Sequence, residues 1–178
     1  MLVLVVGPSG AGKDTLLDAA RRALAKDPRF RFVRRVITRP AEAGGEAHEA
    51  VTPEEFATRR FALQWQAHGL SYGIPADIVD DIKRGLTVVV NASRTIISKA
   101  AERFPMRVIE VTAPADILAK RLALRGRERA TDVAERLSRN IALPADMAVE
   151  TVTNDTTLED GVARFLAALN RAASVAAR

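Results

Sequence analysis

The run Gly7-Pro8-Ser9-Gly10-Ala11-Gly12-Lys13-Asp14-Thr15 constrains the fold more than any other part of the sequence. It follows an apolar run at 2–6 and precedes a segment at 16–24 with helical spacing of Leu and Ala. Strand, glycine-rich turn, Lys and helix is the context of a P-loop, whose N–H groups converge on a phosphate at a helix N-terminus. An ordinary glycine-rich turn is the alternative, but the spacing and both flanks favour an ATP-binding loop with Lys13 on the β- and γ-phosphates.

Asp14 departs from the usual P-loop pattern. Ser or Thr normally follows the Lys and ligates magnesium, whereas this chain has Asp14 and then Thr15. The apolar run at 86–90 ends in Asn91 and lacks the Asp that usually completes the magnesium site. Asp is also favourable at any helix N-terminus, which leaves a second interpretation open. We predict that Asp14 supplies charge to hydrated Mg²⁺, directly or through water.

The composition bounds the class of protein. With 178 residues, 48% hydrophobic and 28% charged, the chain is expected to form one soluble globular domain. No apolar run approaches the roughly 20 residues of a membrane span, and the start lacks the basic region of a signal peptide. The absence of Cys excludes disulfides and thiolate metal sites. A cytoplasmic protein without a membrane partner is therefore predicted.

The net charge of +5 has two interpretations, nucleic-acid binding or a small polyphosphate ligand. Nucleic-acid binding favours a basic tail or basic residues interleaved with stacking aromatics. Aromatic residues make up only 4% of this chain, and its Arg residues are scattered. Since Arg suits bidentate phosphate recognition, we predict a small polyphosphate ligand and no nucleic acid.

The order of elements predicts an α/β fold. Strand and helix patterns alternate in the outer parts of the chain, which favours a mostly parallel sheet flanked by helices. Residues 34–84 are strand-rich and loop-rich and interrupt that alternation. We therefore predict a P-loop kinase-like domain with a core at about 1–33, 86–124 and 143–178, an inserted acceptor lobe at about 34–84, and a helical lid at about 125–142.

Two local predictions are specific enough to compare with the structure. Residues 30–37 alternate and predict a single strand with one basic face. Thr157 is expected to cap the final helix. The predicted buried side of that helix consists of Leu158, Val162, Phe165, Leu166 and Leu169.

Candidate catalytic residues follow from the charge that phosphoryl transfer must neutralise. Lys13 would act with three Arg residues of the predicted lid, namely Arg125, Arg136 and Arg139. Arg136 and Arg139 share a helix face, and a solvated face is the alternative. A second phosphate site is expected in the acceptor lobe, formed by Arg35, Arg39, His48 and Tyr72. For Arg35 and His48, ordinary surface roles are the alternatives.

No general base is evident, which itself bears on the acceptor. A hydroxyl acceptor calls for a positioned base, whereas a phosphate oxygen is already anionic near neutral pH. The sequence therefore favours a phosphate as the acceptor.

Motifs spread over nearly the whole chain resemble the guanylate kinase family. They are the P-loop, Thr38-Arg39-Pro40, Glu54-Glu55-Phe56, Leu63-Gln64-Trp65, His68-Gly69-Leu70-Ser71-Tyr72-Gly73, Arg125-Gly126 and Asn154-Asp155. The departures fall at the guanine site and its neighbours. Gln64 replaces a guanine-reading Glu, and Ile74 replaces a Ser or Thr. Glu42 stands near the place where that family has a second Arg, and His48 stands at about the place of a phosphate-contacting Tyr.

These departures are similar to the pattern of the ribose 1,5-bisphosphate phosphokinase family of phosphonate catabolism. The matching motifs are Gly12-Lys13-Asp14-Thr15, Gly44-Gly45-Glu46, His48, Trp65 with His68-Gly69, Tyr72-Gly73, Asn91-Ala92-Ser93-Arg94 and Arg125-Gly126-Arg127-Glu128. The resemblance implies transfer from ATP to the 1-phosphate of ribose 1,5-bisphosphate, giving 5-phosphoribosyl 1-diphosphate and ADP. It also implies that Asn154 lies beside the donor adenine.

Three alternatives stay open at this point. The first is a guanylate or other nucleoside monophosphate kinase with an unusual base site. The second is a catalytically weak nucleotide-binding module, against which Lys13 and the lid Arg residues count. The third is a nucleic-acid-binding protein, which predicts strongly salt-dependent binding.

Overall fold

The computed structural model describes residues 1–41, 47–124 and 147–176. Within these residues, no helix combines the length and apolar character needed to cross a lipid bilayer. The described elements, in chain order, are β1 (Leu2–Val6), α1 (Lys13–Ala23), β2 (Phe30–Val33), β3 (Val36–Ile37), β4 (Glu49–Ala50), α2 (Pro53–Thr58), β5 (Phe61–Ala67), β6 (Leu70–Pro75), α3 (Ile78–Lys83), β7 (Thr87–Asn91), α4 (Ile97–Ala101), β8 (Met106–Thr112), α5 (Ala115–Leu124), β9 (Val149–Thr153) and α6 (Leu158–Ala176).

The larger sheet has the order β2-β7-β1-β8-β9, and every neighbouring pair is parallel. β1 lies at its centre, where all residues of the run Leu2–Val6 are fully buried. Apolar residues from α1, α5 and α6 pack on one face, while those from α3 and α4 pack on the other. A continuous apolar, β-branched strand is what a parallel sheet covered on both faces requires. The predicted α/β fold is confirmed.

The smaller sheet has the order β4-β3-β6-β5. β5 and β6 form an antiparallel hairpin, whose turn residues His68 and Gly69 have φ values of +52° and +72°. Positive φ at both central residues is typical of the turns that match the twist of paired strands. Leu63 and Ile74 of this hairpin join the same buried cluster as Leu4 of β1, so the two sheets share apolar packing.

Residues 30–37 do not form the single strand that their alternation predicts. Phe30–Val33 pairs with β7 in the larger sheet, whereas Val36–Ile37 pairs with β4 and β6 in the smaller one. The chain changes sheets at Arg34 and Arg35, because the two halves have partners in different sheets. Alternation indicates an extended chain but carries no information about which sheet each half joins.

The final helix is also only partly as predicted. Phe165 and Leu169 are fully buried, but Leu158 is 50% exposed. The helix begins at Leu158, so this residue lies in a first turn that extends beyond the core. Thr157 does cap the helix, because its Oγ1 accepts a hydrogen bond from Asp160 N at 3.2 Å.

Replacing Phe165 with Ala should destabilise the fold strongly. The side chain is fully buried between α6 and the sheet, so its loss leaves a cavity that costs about 3–5 kcal/mol. Urea unfolding followed by circular dichroism measures this free energy. Leu158→Ala on the same helix is the matched control, with an expected change within roughly 0.5 kcal/mol. Equal losses in both variants would contradict the described packing.

Candidate active site

The glycine-rich loop after β1 is fitted tightly against its surroundings. A Cβ atom on Gly7 would lie 2.0 Å from Val111 O of β8, and one on Gly12 would lie 2.4 Å from Asn154 Nδ2. Both glycines also have positive φ, +143° and +89°. Gly12 caps α1 at its N-terminus in the left-handed conformation. The loop therefore holds one shape because its neighbours leave no room for a side chain.

Lys13 is the first residue of α1, and its side chain reaches back across the loop. Its Nζ donates to Gly7 O at 2.7 Å and to Pro8 O at 2.9 Å. These contacts keep an ammonium group next to backbone N–H groups at the positive end of a helix. Such a concentration of donors suits an anionic ligand, and a phosphate oxygen can take the place of the carbonyl partners.

Asp14 and Asn91 meet beside the loop. Asn91 Nδ2 donates to Asp14 Oδ1 at 3.0 Å. Since a carboxylate only accepts, the amide NH₂ must face it. Three residues beyond Asn91, Arg94 forms an ion pair with Glu110 of β8, which fixes the turn after β7. The carboxylate and the amide that the sequence analysis contrasted are thus in direct contact.

Asn154 stabilises the P-loop through a side-chain hydrogen bond. Its side chain donates from Nδ2 to Ala11 O at 2.9 Å, and its backbone N donates to Thr112 O at 2.8 Å. The residue is only 6% exposed, and a Cβ atom on Gly161 would lie 2.5 Å from its Oδ1. Asn154 therefore links the P-loop to β8 and α6. Its contact with adenine stays a prediction.

Arg121 of α5 is a candidate that the sequence analysis missed. Its Nη1 is buried and has no hydrogen-bond partner among the described residues. A Cβ atom on Gly12 would lie 4.0 Å from that nitrogen, so the guanidinium lies over the P-loop. A buried donor without an acceptor is costly and rare, which indicates a ligand there. No spacing in the sequence singles out this residue, because its position over Gly12 depends on how α5 packs.

The candidate acceptor side is built on an aromatic pair. Trp65 and Tyr72 face each other across the β5–β6 hairpin, with ring centroids 5.3 Å apart and planes at 9°. The Arg35 guanidinium lies 5.2 Å from the Tyr72 centroid and 5.7 Å from that of Trp65. Cation–π attraction holds the long side chain of Arg35 over both rings.

An open cleft of about 380 Å³ connects this cation to the P-loop side. Asp14 and Asn91 line it at one part, and Arg34, Arg35 and Ala47 line it at another. Its walls come from α1, the end of β7 and the corner between the two sheets. An anionic ligand bound in this cleft would contact Arg35. Asp14 lines the same cleft, so the ligand would also lie near the P-loop.

Arg39 and His48 contact each other, and His48 directly follows Ala47, which lines this cleft. His48 Nε2 lies 3.0 Å from Arg39 O, and His48 Nδ1 lies 3.2 Å from Arg39 Nη2. A carbonyl can only accept, so Nε2 carries the proton and Nδ1 accepts from the guanidinium. Arg39 Nε is buried with no hydrogen-bond partner among the described residues. This pair therefore holds a guanidinium that retains a donor for a ligand.

Several residues of the predicted site belong to the ranges between the described parts of the chain. Arg125, Arg136 and Arg139, and with them the predicted lid, lie outside the described residues, as do Glu42 and the Gly44-Gly45-Glu46 motif. At the positions that depart from guanylate kinases, Ile74 is fully buried in the core and Gln64 is exposed on β5.

Comparison with known proteins gives the family. No family model matches the chain. Ribose 1,5-bisphosphate phosphokinase PhnN of Acidiphilium cryptum is 55% identical over 170 residues, which cover 96% of this chain and 92% of that protein. The bifunctional ribose 1,5-bisphosphokinase-thymidine phosphorylase of Azorhizobium caulinodans is 47% identical over 175 residues, and the match spans 95% of this chain but a quarter of that longer protein.

Among solved structures, guanylate kinase from Anaplasma phagocytophilum matches with a TM-score of 0.66 and 20% identity, over 96% of this chain and 84% of that one. This likeness supports the kinase fold that the P-loop predicts. The high identity to the PhnN protein extends over almost the full length of both chains. The chain therefore belongs to the ribose 1,5-bisphosphate phosphokinase family.

Proposed function

We propose that this enzyme transfers the γ-phosphoryl group of ATP to the 1-phosphate of ribose 1,5-bisphosphate, forming 5-phosphoribosyl 1-diphosphate and ADP. The observation that carries the proposal is Arg35 held over the Trp65–Tyr72 pair, at the wall of the cleft that Asp14 also borders. A guanidinium over the rings covers the aromatic surface on which a base would stack and offers an anion-binding group instead. An acceptor with two phosphates and no base fits this arrangement.

The P-loop and its neighbours would hold the donor. Lys13 and the loop N–H groups bind the β- and γ-phosphates, and Arg121 adds a second cation above Gly12. Asn154 keeps the loop in shape and lies beside the adenine. Together these residues fix the γ-phosphorus in position, which is most of what phosphoryl transfer asks of a protein.

The transfer itself needs no general base. An oxygen of the acceptor 1-phosphate attacks the γ-phosphorus, the bond from that phosphorus to the bridging oxygen of ADP breaks, and ADP leaves with the electron pair. A phosphate monoester has a second pKa of about 6, so its oxygens are largely deprotonated at neutral pH. The cations Lys13, Arg35 and Arg39 would neutralise the anions that this reaction brings together.

Magnesium fits the residues beside the P-loop. Among the described residues, no three His, Cys, Asp or Glu side chains are grouped to hold a metal on their own. Mg²⁺ is commonly held by one or two carboxylates together with nucleotide phosphates and water. Asp14 would supply the carboxylate, directly or through water. When bound, the ion supplies positive charge at the β- and γ-phosphates.

The acceptor would lie between the two sheets. Arg35, Arg39 with His48, and Tyr72 form its phosphate contacts on the acceptor lobe, residues 34–84. The predicted lid at 125–142 would close over it, and Arg125, Arg136 and Arg139 would clamp the moving phosphoryl group. Closure would also exclude water and limit ATP hydrolysis. These small anionic ligands account for the basic charge without nucleic acid, and ATP use suits a cytoplasmic enzyme.

The acceptor assay tests this proposal. Purified protein given ATP and Mg²⁺ should release ADP with ribose 1,5-bisphosphate and not with GMP, because the cleft offers cations rather than a base-reading surface. Lys13→Ala should lower the rate by about 10²–10³-fold through loss of a positioned donor. Turnover with GMP alone would instead identify a nucleoside monophosphate kinase. Lack of turnover with both would favour a nucleotide-binding module.

Replacing Arg35 with Ala should weaken acceptor binding selectively. Losing a charge-assisted contact should raise the KM for ribose 1,5-bisphosphate by about 10–100-fold, while the KM for ATP stays the same. Arg35→Lys should not restore binding, because Lys lacks the planar fork and its stacking. Arg22→Ala, at an exposed position on α1, is the matched control and should leave both KM values unchanged. An equal rise in both KM values for Arg35→Ala would contradict an acceptor role.

A further inference from the structure

We propose that Asp14 and Asn91 form a magnesium-anchoring pair in which the carboxylate and its neutral partner have exchanged places, with Asn91 as the positioning residue for Asp14. The inference rests on the proposed function, because it concerns the metal that accompanies ATP. Asn91 has a role of its own in this pair, and the carboxylate can occupy either of the two positions.

The exchange is defined by comparison with an ordinary P-loop enzyme. There a Ser or Thr hydroxyl at the start of the helix and a carboxylate at the end of a neighbouring strand serve the magnesium ion. Here the helix position carries Asp14 and the strand position carries Asn91. Each arrangement has one carboxylate and one neutral polar group, so the charge available to the metal is the same.

The structure brings the exchanged groups together. Asn91 ends β7, pairs in register with Val5 of β1, and so lies level with the strand that leads into the P-loop. Asp14 is in the first turn of α1, and its Oδ1 accepts from Asn91 Nδ2 at 3.0 Å. Both side chains line the open cleft. One oxygen of the carboxylate is thus tied to a rigid strand end, which restricts where the group presents its charge.

A helix-dipole role is the competing explanation for Asp14. A carboxylate in a first turn stabilises any helix, but that effect requires neither a strand amide nor a metal. The two explanations therefore differ on Asn91. If Asp14 serves the metal, the amide that orients it affects metal affinity, as residues behind metal ligands commonly do.

Isosteric variants separate these explanations. The variants are Asp14→Asn, Asn91→Ala, and the reciprocal double variant Asp14→Asn with Asn91→Asp, which keeps both side-chain shapes and moves the carboxylate to the strand. Binding of Mn²⁺ in the presence of ADP is measured by electron paramagnetic resonance. Binding of ADP in EDTA is measured by calorimetry and reports an intact nucleotide site without metal.

We expect Asp14→Asn and Asn91→Ala each to lower Mn²⁺ affinity by about tenfold or more, with ADP binding in EDTA unchanged. The double variant should recover Mn²⁺ affinity to within about threefold of the parent, because one carboxylate is again held by an amide.

Three results would overturn the inference. Asp14→Asn with parental Mn²⁺ affinity and a lower melting temperature would leave only the helix-dipole role. Asn91→Ala with parental Mn²⁺ affinity would remove the positioning role. A double variant as weak as Asp14→Asn would show that the two positions are not interchangeable. All three leave ADP binding and the proposed function intact, whereas a parent protein that does not bind ADP would overturn both.

Discussion

The contact between the P-loop and the carboxyl ends of the parallel strands is the constraint on which the rest of the site depends. Gly7 lies against Val111 O, and Gly12 lies against the Asn154 side chain, at distances that exclude a Cβ atom. This fit places the N-terminus of α1, with Lys13 and Asp14, at the carboxyl end of the central strand. Ligands of open α/β sheets bind at that edge, because loops and helix N-termini converge there. The apolar core thus determines where the proposed first phosphate site lies.

The proposed second phosphate site depends on a different part of the chain. Arg35 lies at the corner where the chain leaves one sheet for the other, and the Trp65–Tyr72 pair of the hairpin holds its guanidinium. Because the hairpin packs into the same apolar cluster as β1, the aromatic pair is anchored to the core that supports the P-loop. In the proposed function, the P-loop and Arg35 each bind an anionic group, and one apolar core supports both. The protein makes few contacts with the rest of the acceptor.

The sequence was most informative where local chemistry decides the structure. The P-loop spacing predicted the βα turn, and the prediction that Thr157 caps the final helix is confirmed by its hydrogen bond from Asp160 N. Prediction failed where long-range pairing decides, as in the split of residues 30–37 between two sheets. Arg121 was missed because its importance comes from burial over Gly12, which no spacing within α5 reveals. The contact between Asp14 and Asn91 likewise joins residues 77 positions apart.

The central claim is that the protein joins a phosphoryl group to a phosphate that is already on the sugar. Phosphorus NMR of the product formed from ATP and ribose 1,5-bisphosphate tests this most directly. The account predicts two mutually coupled signals from a diphosphate on the sugar, beside an unchanged signal from the 5-phosphate. ADP accompanied only by inorganic phosphate, or a sugar product without phosphorus–phosphorus coupling, would contradict it.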